Sequence, residues 1–186
     1  MAYPQLKPAT YQDLCNIPEH FVAEIINGSL YAQPRPAPRH ARASSSLGDE
    51  LVSPFDKGRN GPGGWWILDE PEVHLWTDIV VPDIAGWRRE RMPSLPETAY
   101  FELAPDWVCE VLSPGTARQD RALKMPLYAR HGVQHIWLVD PLLRTLEVFE
   151  NTAAGWLLLQ VLENDNAVSL PPFEAISFSL AALWAD

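Results

Sequence analysis

Two short apolar stretches most constrain the fold of this chain: DWVCEVL at 106–112 and HIWLVD at 135–140. Both are dominated by Trp, Val, Ile and Leu, and both read as buried strands. The segment between them carries helix signals. Thr116 is placed to cap a helix that runs to His131, with Gly132 as its C′ residue and Val133 as the apolar cover. After the second strand, DPLLR turns the chain into TLEVFE, WLLLQVL adds a further strand, and FSLAALWAD reads as a short closing helix. Strand, helix, strand, then hairpin indicates an α/β fold: a central mixed sheet with helices against it.

The upstream half supplies more sheet. Thr10 and Asp13 form a capping-box pattern that opens a short helix, TYQDLCNI. FVAEII-NG-SLYAQP reads as a hairpin turning at Asn27-Gly28, with Glu24 in its first strand. A helix is expected from about Arg39 to Phe55, with His40 near its start, followed by a loop at GRNGPGG. WWILDE and EVHLW read as two strands joined at Pro71, and IVVPDIAGW as a third. RRERMPSLPETAYFEL, 88–103, is a proline-broken connection.

With 186 residues, 47% of them hydrophobic, the chain suits one domain, 1–186, with a sizeable core. Its 18 prolines exceed the usual share of about 5% and imply short helices and many strand ends. The formal charge of −10 argues against a sequence-tolerant binder of nucleic acid. It leaves room for an enzyme that meets phosphates locally through a metal ion. Cys15 and Cys109 match no metal spacing, the N-terminus is too polar for a secretory signal, and no apolar run approaches the roughly 18 residues of a membrane span. No membrane association is therefore expected, and a cytoplasmic location is.

The strand DWVCEVL contains a carboxylate, Glu110, on the face of Val108 and Leu112. In the expected strand IVVPDIA, Asp83 shares a face with Ile79, Val81 and Ala85. Burying one such charge unpaired is costly, and burying two together is worse unless a cation lies between them. A hard divalent ion such as Mg²⁺ meets that need with oxygen ligands, waters and a phosphate. A structural ion pair with an arginine or lysine meets it as well. Asp120, Lys124 and Tyr128 fall four residues apart on one helix face, so a lysine from this helix can point back over the Glu110 strand; the plainer reading is a solvated Asp–Lys pair.

Pro82-Asp83, then Glu110 in an apolar strand, then a lysine, resembles the PD-(D/E)XK nuclease superfamily. More narrowly, PDWVCEVLSPGTARQDRALKMPLYARHGVQHIWLVDP, 105–141, is similar to the bacterial Uma-type restriction endonuclease family. The resemblance covers most of the chain, including EIINGSL and the PRH that begins the next helix. It implies a restriction-endonuclease-like core with extra N-terminal and C-terminal hairpins, and a metal-dependent site that cleaves phosphodiesters, with DNA as the expected substrate. Asp83 and Glu110 match the family's metal-binding acids, and with the backbone carbonyl of Val111 they are expected to hold Mg²⁺ or Mn²⁺. The superfamily's usual lysine lies two residues after the acid, where this chain has Leu112. Lys124 matches the family's displaced lysine. Glu24, His40 and Asp120 are supporting candidates, as a further ligand or as partners of the ligands. Pro126 should kink the helix or split it, which bears directly on whether Lys124 reaches the site.

Outside this constellation, Arg88, Arg89 and Arg91 form the only dense basic run and are candidate phosphate contacts beside the metal. His74, His135, the Ser44–Ser46 run and Asp140-Pro141 fit structural roles. Trp65, Trp66, Trp76 and Trp87 are expected in core or dimer packing rather than in base stacking. Two functional readings follow: a metal-dependent nuclease acting on DNA, with RNA or a branched junction as related substrates, and a non-catalytic, dimeric interaction module that retains the fold. Leu112, Pro126 and the negative charge favour the second.

Overall fold

A computed structural model describes residues 7–184. Its main sheet has six strands in the order β10-β9-β8-β7-β6-β3. These are β3 (Trp65–Asp69), β6 (Ile84–Arg88), β7 (Trp107–Val111), β8 (His135–Asp140), β9 (Thr145–Thr152) and β10 (Gly155–Glu163). β7 and β8 run parallel and every other neighbouring pair is antiparallel, so the sheet is mixed, as the strand–helix–strand pattern implies. A second sheet, β2-β1-β5-β4, is built from β1 (Phe21–Ile26), β2 (Ser29–Pro34), β4 (Val73–Leu75) and β5 (Asp78–Val80). The hairpin β1–β2 turns at Asn27-Gly28, both at positive φ (51° and 74°), the pair of values that an Asn-Gly turn supplies at least cost. The C-terminal hairpin β9–β10 is integral to the main sheet, and the small ladder β11 (Ala167–Val168)–β12 (Phe178–Ser179) follows it.

The main sheet is buried on both faces, and β7 shows how alternation divides them. Trp107, Cys109 and Val111 pack with Leu47, Leu51, Phe55, Trp137 and Phe173 on one side. Val108 and Leu112 pack with Leu127, Tyr128, Val133 and Ile136 on the other. Glu110 must therefore enter the second of these apolar layers.

Prolines set the corners. The expected strand IVVPDIAGW is two strands in two sheets: β5 ends at Val80, the chain crosses through Val81–Asp83, and β6 begins at Ile84. Pro82 has no N–H to give to a ladder, so the chain breaks there. Asp83 consequently lies at a corner, not on a strand face shared with Ile79 and Ala85. The same crossing occurs between β3 and β4, at Pro71.

The helices behave similarly. α1 (Tyr11–Cys15) carries the expected capping box between Thr10 and Asp13. α2 (Pro38–Leu51) continues into a π-helical turn, Val52–Asp56, that contains Pro54. After β7, a short α3 (Ala117–Gln119) leads into a second π-helical turn, Asp120–Lys124, and then α4 (Met125–Arg130), with Pro126 in its first turn. A proline ring clashes with the carbonyl four residues back, and a widened turn relieves that clash. Thr116 does not cap this helix in the expected way. Its hydroxyl accepts from Ser113 N at 3.2 Å, and Ser113 Oγ accepts from Thr116 N at 3.2 Å, so the two residues close a turn on each other. At the far end Gly132 has φ 78° and Val133 N donates to Tyr128 O at 3.1 Å, the C-terminal closure read from the sequence. A 3₁₀ turn, Leu180–Leu183, closes the chain.

Candidate active site

The proline corner, the end of β7 and the widened helical turn meet around a cavity of about 320 Å³. Glu24, His40, Asp83, Glu110, Asp120 and Lys124 all line it. The residues singled out as acids, lysine and supporting side chains thus converge from five separate elements. Asp83 and Glu110 face the same space.

Lys124 is at the centre. The wide turn carries it over β7, only 4% exposed, and its Nζ lies 2.9 Å from Glu110 Oε1, 2.9 Å from Glu24 Oε1 and 3.7 Å from Asp120 Oδ1. The solvated Asp–Lys pair is therefore not what forms: the i,i+4 contact is buried, and it is the longest of the three. Tyr128, one turn further on, donates its hydroxyl to the same Glu110 oxygen at 2.6 Å. Glu24 is held from two sides. Its Oε1 accepts from Val81 N at 2.9 Å and its Oε2 from Gln119 Nε2 at 2.8 Å, and Gln33 Nε2 in turn donates to Gln119 Oε1 at 3.1 Å. Both Glu24 oxygens are thus engaged, and the carboxylate is paired with the lysine.

Asp83 is placed by its backbone corner and by β7. Its Oδ2 accepts from Val111 N at 2.7 Å, and its Oδ1 lies 3.3 Å from His40 Nε2 on the first turn of α2. Burial opposes charge on His40, but Asp83 and the Val111 backbone outweigh it and raise the ring's pKa above its ordinary value. His40 Nδ1 is buried and has no hydrogen-bond partner among the described residues.

The electrostatics are lopsided. Five carboxylates (Glu24, Glu70, Asp83, Glu110, Asp120) line the cavity with one ammonium, Lys124, and one guanidinium, Arg35. Burial, then Asp120, Asp83 and Glu24, push the Glu110 carboxyl well up against the pull of Lys124. Burial likewise raises Asp120 to about 6. Lys124 has its charge opposed by burial, but Glu110 and Glu24 hold its pKa well above the ordinary value. The excess of negative charge is what a bound cation would relieve. Among the described residues no group of three His, Cys, Asp or Glu side chains forms a ready-made metal cage. Two carboxylates and a backbone carbonyl still fit a cation that keeps several waters and takes a phosphate oxygen; Mg²⁺ is such an ion. The donor set is hard oxygen throughout, and soft metals would be poorly served.

The basic run is elsewhere. β6 separates it from Asp83 by roughly 16 Å at the rise of a strand. Arg88 lies over the Trp65 ring at 4.6 Å, and Arg89 lies over Trp66 at 3.8 Å while its Nη2 bonds Asp56 Oδ1 at 2.8 Å. Arg91 pairs with Asp106 at 2.7 Å. None of the three lines the cavity, so their placement offers no phosphate contact beside Asp83. Trp65 and Trp87 are core residues as expected, whereas Trp76 sits on the β4–β5 turn at positive φ, 93% exposed. Sequence reading placed Tyr128 on the right helix face without giving it a partner, and it missed Gln119 and Gln33. Tyr128 was discoverable from its spacing to Lys124; the two glutamines carry no local signal.

The family described as "Uma2: Putative restriction endonuclease" matches residues 8–182. A crystal structure described as a putative nuclease belonging to DUF820, from Anabaena variabilis, superposes with a TM-score of 0.75 at 24% identity, covering 95% of this chain and 97% of that one. At that identity the likeness is one of fold. No curated protein matches the sequence.

Proposed function

The chain belongs to the Uma2 restriction endonuclease family, and on that premise we propose that it is a nuclease hydrolysing phosphodiester bonds, with DNA as substrate and Mg²⁺ or Mn²⁺ as cofactor. The observation that carries this reading is the ammonium of Lys124, 2.9 Å from Glu110, beside Asp83 in a cavity with surplus negative charge. Asp83, Glu110 and the Val111 carbonyl would hold the ion. When bound there, a divalent cation supplies Lewis acidity toward water and a phosphate oxygen. The remaining work falls to the chain itself. His40 and Val111 N keep Asp83 pointed into the cavity. Glu24, pinned by Gln119 and Val81, keeps Lys124 charged and in place. Lys124 then offsets negative charge growing on the phosphoryl group or orients the attacking water. Because the chain carries a formal charge of −10, affinity for DNA would be modest.

One observation favours the non-catalytic module: Lys124 already satisfies Glu110 and Glu24 at 2.9 Å each, so the fold can bury both acids without an ion. Such a module would act as a dimer. The free cysteines, Cys15 and Cys109, accord with a cytoplasmic place for either reading, and no helix among the described residues is long and apolar enough to cross a membrane. Incubating the wild-type protein and Glu110→Ala with duplex, single-stranded and branched DNA and with RNA, each with Mg²⁺ or Mn²⁺, separates the readings. Cleavage by the wild type and none by the variant is expected; equal cleavage by both removes the site assignment. Calorimetry that detects no divalent-ion binding, together with a dimer in solution, selects the module.

A further inference from the structure

We propose that Tyr128 is a positioning residue that anchors the Glu110 carboxylate while Lys124 exchanges partners; this rests on the cation site proposed above. Two donors reach one oxygen, Glu110 Oε1: the Tyr128 hydroxyl at 2.6 Å and the Lys124 ammonium at 2.9 Å. They differ in what else they hold. Lys124 is also 2.9 Å from Glu24, so it has a second partner in reach if it leaves Glu110. Tyr128 has Glu110 as its one side-chain hydrogen bond among the described residues, and its ring is locked among Val108, Leu127, Val133 and Ile136. Glu110 lines the cavity; Tyr128 lies behind it and does not.

A cation arriving at Glu110 repels a neighbouring ammonium but not a neutral phenol. The lysine therefore shifts its weight to Glu24, and the phenol keeps the carboxylate from swinging. Lys124 and Tyr128 are four residues apart, one at the end of the widened turn and the other on α4, so both donors lie on one helix face toward Glu110. Partners of this kind, behind a metal ligand, typically govern 10–100-fold in affinity.

Tyr128→Phe removes only the hydroxyl. Mn²⁺ titrated calorimetrically should bind roughly ten-fold or more weakly to this variant, and the electron paramagnetic resonance spectrum of the bound ion should broaden, while the cation-free protein unfolds cooperatively. Affinity and spectrum equal to wild type would overturn the assignment. If the variant does not fold, the wild type decides. With ¹³C-tyrosine and ¹⁵N-lysine labels, Mg²⁺ should shift the Lys124 ammonium resonance and leave the Tyr128 ring resonance nearly unmoved; the reverse pattern overturns the proposal. A wild type that binds neither ion would instead overturn the cation reading itself.

Discussion

Lys124 and Glu24 are bound at 2.9 Å between helix and sheet, one side chain from the helical turn after β7 and the other from the first strand of the N-terminal hairpin. The same ammonium bonds Glu110 on β7 at 2.9 Å. One lysine thus ties the small sheet, the main sheet and the helix together, and the site owes its shape to that tie.

Removing the lysine should be costly. Lys124→Met leaves Glu110 and Glu24 buried without a counter-charge, which on general grounds costs about 3–5 kcal/mol. Urea unfolding at neutral pH would measure the loss. Part of it should return in acid, where the orphaned carboxyls can take up protons. A variant as stable as wild type at neutral pH would mean that the buried acids are already neutral.

Truncating an acid should act differently on fold and function. Asp83→Ala or Glu110→Ala removes an oxygen donor and lowers the negative surplus, so divalent-ion binding and cleavage should be lost; Glu110→Ala should also lower stability, since Lys124 then keeps only Glu24 and Asp120, while both variants still unfold cooperatively. Circular dichroism and calorimetry on the same sample test this. Undiminished ion binding in both variants would place the cation elsewhere.

Asp120 makes stability fall with rising pH. Burial, followed by the charges of Asp83 and Glu24, lifts its pKa from 3.8 to about 6 in the folded chain, against the pull of Lys124 and of its hydrogen bond with Thr116. Between those values the folded state holds more protons than the unfolded one. The contribution is complete below the unfolded value and is lost as pH climbs through about 6. At about 1.4 kcal/mol per unit the whole effect is a few kcal/mol at most. Asp120→Asn should therefore gain stability relative to wild type between about pH 4 and pH 7. Parallel slopes for the two proteins in that range would contradict this.

The arginine run should matter for stability and little for DNA. Arg89 bonds the Trp65 carbonyl at 3.0 Å, pairs with Asp56 and stacks on Trp66, so Arg89→Ala should cost about 1–2 kcal/mol. Anisotropy titrations of labelled DNA without added Mg²⁺ or Mn²⁺ should show affinities within about two-fold of wild type. A large loss of affinity with a shallower salt dependence would restore these residues as phosphate contacts.

Much of this was legible along the chain because it is local. Alternation on β7 assigned Glu110 to the face of Val108 and Leu112, Asn27-Gly28 fixed the first hairpin, Gly132 ended the helix, and Asp120, Lys124 and Tyr128 shared a helix face. These follow from a residue's own dihedral preferences and from the periods of strand and helix. What tertiary structure decided was which groups meet. Pro82 broke one expected strand into two sheets and put Asp83 at the corner between them; the sequence showed the proline but not the neighbouring sheet that receives the chain. Gln119 and Gln33 joined Glu24 in the site because two sheets pack against one helix, and Arg88, Arg89 and Arg91 left it because Trp65, Trp66, Asp56 and Asp106 were nearer. Burial is written in local pattern, but the choice of partner for a buried charge depends on distances that only the packed chain sets.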